Sequence, residues 1–399
     1  MKSLLVVTPR YPYPVIGGDR LRIHQLCQVL SRHFRLTLLS LCDDPETLAG
    51  PPPDDGIFER VERVYLPPWR SRLNTLLALP GRTPLQVAYY RSRRFRRRVR
   101  ALAPEHDGVL AHLVRTAEAV QGLPQPRFLE MTDALSLTYA RVKAENGWRP
   151  SLKGYAYRLE HHRMAAYERR VVDDFDHSFM ISAIDRDHLF ASDPARQSRI
   201  SIAPNGVDLE RLPYQFRPSN RELIFIGSLT TLPNLDAAEF MASEVLPLVR
   251  RHHPDVQLRV IGRIGTGDRE RLERHDGMVV TGEVADIAQA AARGAVGVCP
   301  VRMGAGMQNK LLEYMALGLP SVSTPLGLEG LQARDGHELL LARDATGLAQ
   351  AIGRLLRDRG EAEAIARAAR AYIEAQHSRA ACMGSVVTAI QRRLARGSG

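Results

Sequence analysis

Short apolar runs alternate along the chain with segments in which apolar residues recur every three or four positions. The first run, LLVV at residues 4–7, is followed by a loop and by a segment with apolar residues at Leu21, Leu26, Val29 and Leu30. A second run, RLTLLSL, occupies residues 35–41. The runs predict buried strands and the intervening spacing predicts a helix. Two strands joined through a helix predict a parallel sheet with a right-handed crossover.

The same alternation continues nearly to the end of the chain and predicts an α/β protein. Further strands are predicted at or within residues 61–66, 107–113, 126–136, 177–182, 198–212, 221–252, 256–262, 278–282, 296–301, 320–324 and 337–342. A chain of 399 residues is too long for one ordinary core. The polar, proline-bearing stretch at 213–220 is therefore predicted to link two domains, residues 1–212 and residues 213–378.

The stretch RMGAGMQNKLLEYMALG, residues 302–318, has the pattern most typical of a ligand site. Gly304 and Gly306 precede a helical segment whose first turns hold the polar residues Gln308, Asn309, Lys310 and Glu313. A helix N-terminus offers unpaired N–H groups and the positive end of the helix dipole, which suit a phosphate. Lys310 can add a point charge, and Glu313 can accept hydrogen bonds from sugar hydroxyls. We therefore expect a nucleotide-diphosphate site here.

Composition narrows the possible partners. The net charge is +11, and only four of the cations are lysines, which makes Lys310 stand out. Residues 84–102, interpreted as one helix, hold seven arginines between Arg91 and Arg100, and Val87, Tyr90, Arg94, Arg97 and Arg98 share no single face of it. A solvated helix and a patch for anionic lipid both remain open. No nucleic-acid module accompanies the charge.

Few other residues suggest chemistry. No apolar run approaches the roughly 20 residues of a membrane helix, and four scattered cysteines are typical of reduced thiols in a cytosolic protein. The triplet Asp174-Phe175-Asp176 directly precedes a strand, so we interpret its aspartates as turn residues and expect no metal site. His112 and Asp133 fall at or just after strand ends, where they could face a ligand or serve the structure.

Six stretches resemble family 4 glycosyltransferases of the GT-B type. They are PRYPYPVIGGDRLRIHQL near the start, APNGVD at 203–208, FIGSLTTLPN at 225–234, VIGR at 260–263, TGEVADIAQ at 281–289 and MGAGMQNKLLEYMALGLPSVSTPLGLEGL at 303–331. The first and last most resemble sugar transferases of bacterial exopolysaccharide synthesis. Members of this family are largely retaining enzymes that use nucleotide sugars.

The resemblance implies two Rossmann-like domains that face a central cleft. The N-terminal domain, completed by a last helix at about residues 379–396, would bind the acceptor, and the C-terminal domain would bind the nucleotide sugar. The expected reaction moves a sugar to a hydroxyl of a glycan or lipid-linked acceptor, without metal or added cofactor. The expected location is cytoplasmic, peripheral on the inner face of the membrane. A nucleotide-sugar epimerase on this fold and a non-catalytic GT-B protein that binds glycan or membrane are the alternatives.

The resemblance also assigns roles to single residues. Glu313 would hold the ribose, residues 307–310 the diphosphate, Glu283 and Val284 the base, and Asp133 or His112 the acceptor hydroxyl. The other expected donor contacts are Gly17, Gly18, Gly227, Ser228, Arg302 and Gly306, in addition to Met307, Gln308, Asn309 and Lys310 at the diphosphate.

Two features depart from the family pattern. Ala305 stands eight residues before Glu313, where the family has a glutamate that contacts the donor sugar. The loop SLTTLPN is uncharged, although the family carries an arginine and a lysine there. Lys310 and Arg302 are expected to supply the missing positive charge.

Overall fold

A computed structural model describes residues 1–15, 18–146, 152–216, 221–304 and 306–396. The chain divides into two compact units: an N-terminal unit, Met1–Pro204 with Met383–Gly399, and a C-terminal unit, Asn205–Cys382. The first segment of the N-terminal unit therefore ends at Pro204, whereas the sequence predicted a domain boundary after residue 212. The side chain of Asn205 donates a hydrogen bond to Asn309 at 2.8 Å, and its carbonyl oxygen lies 3.2 Å from Nδ1 of His377, so this residue packs with the C-terminal unit.

The N-terminal unit is built on a seven-stranded parallel sheet in the order β3-β2-β1-β4-β5-β6-β7. Its strands are β1 (Ser3–Thr8), β2 (Arg35–Cys42), β3 (Arg60–Tyr65), β4 (Gly108–His112), β5 (Arg127–Thr132), β6 (His177–Met180) and β7 (Ile200–Ile202). The central strand β1 is buried along its whole length, as expected for a sheet covered on both faces. A side chain at Gly108 would press on Leu4, Phe128 and Leu394, so glycine lets these core residues meet.

One or more helices lie between each pair of consecutive strands along the chain. They are α1 (Gly18–Leu30), α2 (Pro45–Ala49), α3 (Pro68–Ala78), α4 (Leu85–Tyr89), α5 (Arg93–Leu102), α6 (Ala117–Val120), α7 (Leu135–Asn146), α8 (Leu152–Val171), α9 (Ala183–Phe190) and α10 (Pro194–Gln197). Short 3-10 helices lie at Ala103–Glu105, Val114–Thr116 and Val172–Asp174.

The interpretation of residues 84–102 as a single helix was wrong. The segment forms α4 and α5, because Ser92 caps α5 by accepting a hydrogen bond from the Phe95 amide and so starts a new helix. Within α5, Phe95, Val99 and Leu102 are buried on one face. Arginines occupy the exposed positions of α5: Arg93, Arg94, Arg96, Arg97 and Arg100.

The C-terminal unit has a six-stranded parallel sheet in the order β10-β9-β8-β11-β12-β13. Its strands are β8 (Glu222–Ile226), β9 (Gln257–Ile261), β10 (Met278–Gly282), β11 (Gly294–Cys299), β12 (Ser321–Ser323) and β13 (Leu340–Leu341). Its helices are α11 (Leu232–Phe240), α12 (Leu246–Arg250), α13 (Thr266–Glu273), α14 (Ile287–Ala290), α15 (Asn309–Leu317), α16 (Ala345–Arg357) and α17 (Arg359–Gln376). A π-helix, Met241–Val245, joins α11 to α12. The last helix, α18 (Arg379–Arg396), begins in this unit and ends in the other.

Parallel strands end at the same edge of a sheet, and ligands of open α/β sheets bind at that edge. In each unit, the loops after the strands are therefore the places to look for a site. No helix among the residues that the structure describes is long and apolar enough to cross a membrane.

Candidate functional site

Helix α15 is fixed to the sheet by Tyr314, so that its N-terminus lies beyond the strand ends. The buried Tyr314 hydroxyl accepts a hydrogen bond from the Ile226 amide at 2.8 Å and donates one to the Val298 carbonyl at 3.2 Å. Gly318, with φ at +77°, ends the helix in the left-handed conformation that glycine adopts easily. At the other end Gln308 occupies the N-cap without a side-chain cap, which leaves first-turn amides for a ligand or solvent.

Lys310 is held at this N-terminus by side-chain hydrogen bonds rather than by an acid. Only 6% of Lys310 is exposed, and its Nζ donates to Oδ1 of Asn234 at 2.8 Å and to Oε1 of Gln308 at 3.2 Å. The ammonium also lies 5.2 Å from the centre of the Phe225 ring. Burial lowers the pKa of Lys310, and charged neighbours only partly offset this. A buried cation without a paired carboxylate is prepared for an anionic ligand.

Asn234 joins Lys310 to the loop after β8. Its Nδ2 donates to the carbonyl of Ser228 at 3.0 Å while its Oδ1 accepts from Lys310. Gly227 leaves room for this contact, because a Cβ there would come within 2.9 Å of Asn234. Asn234 was not among the predicted site residues. It lies within FIGSLTTLPN at the start of α11, but nothing local in that stretch shows its partner 76 residues away.

The loops after β8 and β9 touch through backbone. The Gly227 amide donates to the Ile261 carbonyl at 2.9 Å, and a Cβ on Gly262 would lie 2.0 Å from the Gly227 carbonyl oxygen. Gly262 also has φ at +149°, so only glycine fits. Ser228 follows at once, with its hydroxyl 2.8 Å from that of Thr230. The predicted residues Gly227 and Ser228 thus lie beside Asn234 and Lys310.

Glu313 lies one turn after Lys310 and is half-buried. Burial raises the pKa of its carboxyl to about 7, against the opposing attraction of Lys310. Within the described ranges, no side chain or amide donates a hydrogen bond to this carboxylate. An acid in this state has free acceptor capacity for ligand hydroxyls, whose hydrogen bonds would stabilise its charged form.

The other predicted donor residues of the C-terminal unit outside the α15 segment are Arg302, Glu283 and Val284. Arg302 forms a two-point pair with Asp236 at 2.8 and 3.1 Å and stacks 4.1 Å from the Phe240 ring, so its charge already has a partner. Glu283, in the loop after β10, pairs with Arg263 at 3.2 and 3.3 Å at the surface. Val284 beside it is half-buried.

The remaining predicted donor residues belong to the loop before α15 and to the loop before α1. Met307 is buried beside Gly330, Gly306 has φ at +85°, and Asn309 accepts the hydrogen bond from Asn205. The Oδ1 of Asn205 is itself buried without a partner among the described residues. Ala305 lies outside the described residues, as does Gly17. Gly18 begins α1, and no described atom lies within 4 Å of where its Cβ would be.

A second cluster lies at the strand ends of the N-terminal unit. Nδ1 of His112, at the end of β4, is 2.7 Å from Oε2 of Glu130. The Nε of Arg22 donates to Oε1 of Glu130 at 3.2 Å, and Thr132 donates to both carboxylate oxygens. Burial alone would raise the pKa of Glu130, but Arg22 and His112 hold it at about 2. Glu130 is therefore a permanent anion that fixes the His112 ring.

Arg22 and Glu130 were not predicted, although one signal pointed to Glu130. A charged residue inside FLEMT, an otherwise apolar buried strand, needs a buried partner. Arg22 supplies it from α1, 108 residues away, and also donates to the carbonyls of Ala203 and Pro204 at 2.6 and 2.9 Å. No local pattern in α1 identifies that partner.

The two predicted acceptor residues retain unused polar atoms. Nε2 of His112 and Oδ1 of Asp133 are buried and have no hydrogen-bond partner in the described part of the chain. Burial, with Asp185 and Glu130 nearby, raises the pKa of Asp133 to about 7. The adjoining residues Leu113 and Thr132 have φ at +63° and +65°, a region that residues other than glycine rarely adopt. Such strain is concentrated at functional sites.

The placement of potential metal ligands was compared with that of a metal site. Within the ranges described, no group of three or more His, Cys, Asp or Glu side chains is arranged to hold an ion. Asp174 and Asp176 accept hydrogen bonds from the Gln121 side chain and from the Arg127 amide, 53 and 49 residues away, so these carboxylates connect separate segments of the N-terminal unit rather than stabilising a local turn. The four cysteines are buried, and none of them forms a disulfide.

Comparison with known proteins agrees with this picture. Residues 220–358 match the family described as Glycosyl transferases group 1. An uncharacterized 44.6 kDa protein in the cps region of Klebsiella pneumoniae is 29% identical over 138 residues, which are 33% of this chain and 36% of that protein. Glycogen synthase of Mycobacterium tuberculosis is 24% identical over 393 residues, 92% of this chain and 89% of that protein.

Two solved structures resemble the whole chain. Anabaena Alr3699/HepE in complex with UDP has a TM-score of 0.67 at 16% identity and covers 98% of this chain and 100% of its own. Sucrose-phosphate synthase from Thermosynechococcus elongatus has a TM-score of 0.72 at 15% identity, over 99% and 100%. The predicted GT-B fold class, with two Rossmann-like α/β units, is confirmed.

Proposed function

We propose that this chain, a glycosyltransferase of GT-B fold whose residues 220–358 form a group 1 glycosyl transferase domain, moves a sugar from a nucleotide-diphosphate sugar to a hydroxyl of a glycan or lipid-linked acceptor. The observation that carries the donor site is the arrangement at the start of α15. There a buried lysine and a carboxylate lie one helical turn apart, and within the described part of the chain neither has an ion-pair partner. HepE, a structural relative, binds UDP.

In the proposed complex, the diphosphate lies against the first amides of α15 and the ammonium of Lys310. Fixed N–H dipoles and a buried cation stabilise the charge that grows on a departing nucleoside diphosphate. Asn234 and Gln308 keep the ammonium in place while the site is empty. Glu313 accepts hydrogen bonds from the ribose hydroxyls, and the loop of Glu283 and Val284 frames the base.

The proposed reaction is a single exchange of bonds at the anomeric carbon. The bond from that carbon to the phosphate oxygen breaks, and the acceptor oxygen forms a new bond on the same face of the sugar. The acceptor proton passes to the departing diphosphate, and no metal takes part. Since Ala305 replaces the family glutamate that contacts the sugar, the donor sugar is selected by other residues.

On the acceptor side, we assign His112 and Asp133 to orient the attacking hydroxyl. A carboxylate only accepts hydrogen bonds, so Nδ1 of His112 carries the hydrogen shared with Glu130. In the neutral ring, Nε2 is then an acceptor for a substrate hydroxyl. Asp133, with a pKa of about 7, offers a second oxygen that has no partner among the described residues.

The proposed setting is polysaccharide or glycoconjugate synthesis in the bacterial cytoplasm, at the inner face of the membrane. The cps-region relative from Klebsiella supports the setting. The arginines between Arg91 and Arg100 support the membrane surface only in part. Arg91 pairs with Glu118 and Arg98 with Glu62, whereas the exposed stripe at Arg93, Arg96, Arg97 and Arg100 has no acid partner among the described residues.

The donor assignment is tested with purified protein and a panel of UDP-, GDP- and dTDP-sugars. Thermal shift identifies the nucleotide that binds the folded state, because such a ligand raises Tm. Transfer or donor hydrolysis is then measured with that nucleotide sugar. A panel that gives neither a shift nor sugar release, with matched acceptors present, would contradict the proposal.

A further inference from the structure

Helix α3, Pro68–Ala78, turns its apolar side toward solvent. Trp69, Leu73, Leu76 and Leu77 are 65%, 44%, 61% and 70% exposed. Their spacing, i, i+4, i+7 and i+8, places them on one face of the helix. The buried positions are instead Ser71 and Ala78. An ordinary surface helix has the opposite arrangement, so a large apolar face here calls for a partner.

The helix is firmly held in this orientation. Asn74 donates to the carbonyl of Arg91 at 2.9 Å. At the C-terminus the buried side chain of Arg163 donates to the carbonyls of Ala78 and Leu79 at 3.2 and 2.5 Å. A cationic side chain on terminal carbonyls stabilises a helix end. The apolar face is thus presented by a capped helix anchored on its polar side.

The charge around α3 identifies the kind of partner. From residue 66 to residue 104 the sequence has ten arginines and no aspartate or glutamate. Arg70 and Arg72 lie on α3 itself, Arg82 follows it, and all three are exposed. A second copy of this chain docked through the same face would bring these cations together, which is unfavourable. An anionic lipid surface accepts both the apolar face and the cations.

We infer that α3 is an interfacial anchor, which lies in the plane of an anionic bilayer with Trp69, Leu73, Leu76 and Leu77 among the acyl chains. Arg70, Arg72 and Arg82 then reach the headgroup phosphates. Eleven residues of helix extend about 16 Å, too short to span a bilayer but suited to its interface. Tryptophan favours this depth because its ring is apolar and its N–H is polar. This inference deepens the proposed membrane association and does not depend on the donor site.

Trp69 allows a direct test. The sequence has one other tryptophan, Trp148, so Trp148→Phe leaves Trp69 as the only indole reporter. Full-length protein is mixed with vesicles of phosphatidylcholine alone or with a large share of phosphatidylglycerol, with and without brominated acyl chains. We expect a blue shift and quenching by the brominated lipid, both stronger with the anionic vesicles.

The apolar face is then removed with Leu73→Ser, Leu76→Ser and Leu77→Ser in the Trp148→Phe background. We expect partition into anionic vesicles to fall at least tenfold, with Tm unchanged because these side chains are already exposed. The control is Ile184→Ser, which alters an exposed apolar residue of α9 in the same unit and should leave partition unchanged.

Three results would overturn the inference: unchanged partition of the triple variant, no blue shift of Trp69, or no vesicle binding by the parent protein. A dimer that the triple variant dissolves in sedimentation velocity, without a change in vesicle binding, would assign the face to self-association instead. Nucleotide binding measured on the same preparations separates this test from that of the donor site. Absence of vesicle binding with normal nucleotide binding would contradict only the anchor, and absence of nucleotide binding with normal vesicle binding would contradict only the donor site.

Discussion

The unpaired carboxylate of Glu313 predicts a variant that is more stable and binds its ligand less well. Because burial raises its pKa to about 7, against an unfolded value of 4.5, ionisation of Glu313 opposes folding. A raised pKa gives stability that is fully present below pH 4.5 and is lost as pH rises through 7. Glu313→Gln removes the charge but keeps the shape and a hydrogen-bonding amide.

The size of the effect follows from the two pKa values, at about 1.4 kcal/mol per pH unit. At pH 8 wild-type protein loses about 3 kcal/mol through this ionisation, and at pH 5 about 1 kcal/mol. We therefore expect Glu313→Gln to stabilise the ligand-free protein by up to about 3 kcal/mol at pH 8 and by about 1 kcal/mol at pH 5. Nucleotide affinity should fall, because an amide oxygen is a weaker acceptor for ribose hydroxyls than a carboxylate.

Denaturant unfolding at the two pH values, with and without nucleoside diphosphate, measures the first effect. A chain of two units need not unfold in one step, so the relevant transition is the one that nucleotide shifts in wild type. Calorimetry measures the affinity. Glu270→Gln is the matched control, since Glu270 is an exposed carboxylate in the same unit. Lower stability of Glu313→Gln at pH 8, or an equal gain at both pH values, would refute the reasoning.

Three further predictions concern charges elsewhere in the chain. Asn234→Ala should destabilise the C-terminal unit by about 1.5–3 kcal/mol and weaken nucleotide binding, because the ammonium of Lys310 loses a partner. Asn234→Asp should keep the contact with Lys310 but lose the hydrogen bond to the Ser228 carbonyl and still weaken binding, and unchanged nucleotide affinity of both variants by calorimetry would contradict the donor site. Glu130→Gln should lower the free energy of unfolding by about 3–5 kcal/mol at neutral pH, because Arg22 is left buried and unpaired. Wild-type protein should lose the corresponding stability as pH falls from 4.5 through about 2, and circular dichroism during an acid titration measures this loss. A flat titration would argue against the pairing. Binding to anionic vesicles, measured by sedimentation, should weaken by up to about fivefold, or about 1 kcal/mol, for each Gln substitution at Arg93, Arg96, Arg97 and Arg100. The double variant Arg91→Gln with Arg98→Gln should lose less vesicle binding, because both arginines already pair with glutamates.

The alternation of apolar runs and helical spacing was enough to predict two parallel α/β units and the α15 N-terminus. Those features depend on contacts close in sequence, such as the Gly318 cap and the buried run at residues 4–7. The glycosyltransferase expected from the six stretches is supported by the match of residues 220–358 to the group 1 glycosyl transferases. The single-residue roles remain predictions, because no bound nucleotide or acceptor tests them.

The features of the candidate site that the sequence did not predict depend on contacts between residues far apart in the chain. Lys310 stood out by composition, but Asn234 became visible only when the end of β8 and the start of α15 were placed side by side. Arg302 was expected to add charge at the diphosphate, yet Asp236 and Phe240 already engage it. The spacing of Trp69, Leu73, Leu76 and Leu77 predicts an apolar helix face, but only tertiary structure shows that this face is the exposed one.

Three acids of the candidate sites, Glu130, Asp133 and Glu313, differ in whether neighbouring groups compensate their charge, and this difference bears on the proposed site roles. Glu130 has Arg22, His112 and Thr132 around it and a pKa of about 2, so its role is to hold other groups. Asp133 and Glu313 have pKa values of about 7, and neither carboxylate receives a hydrogen bond within the described ranges. Leaving an acid unpaired costs stability that a packed protein could recover by one substitution. A substrate hydroxyl that supplies the missing hydrogen bond would explain this cost, and on that ground we propose Asp133 and Glu313, rather than Glu130, as the acids that meet substrate.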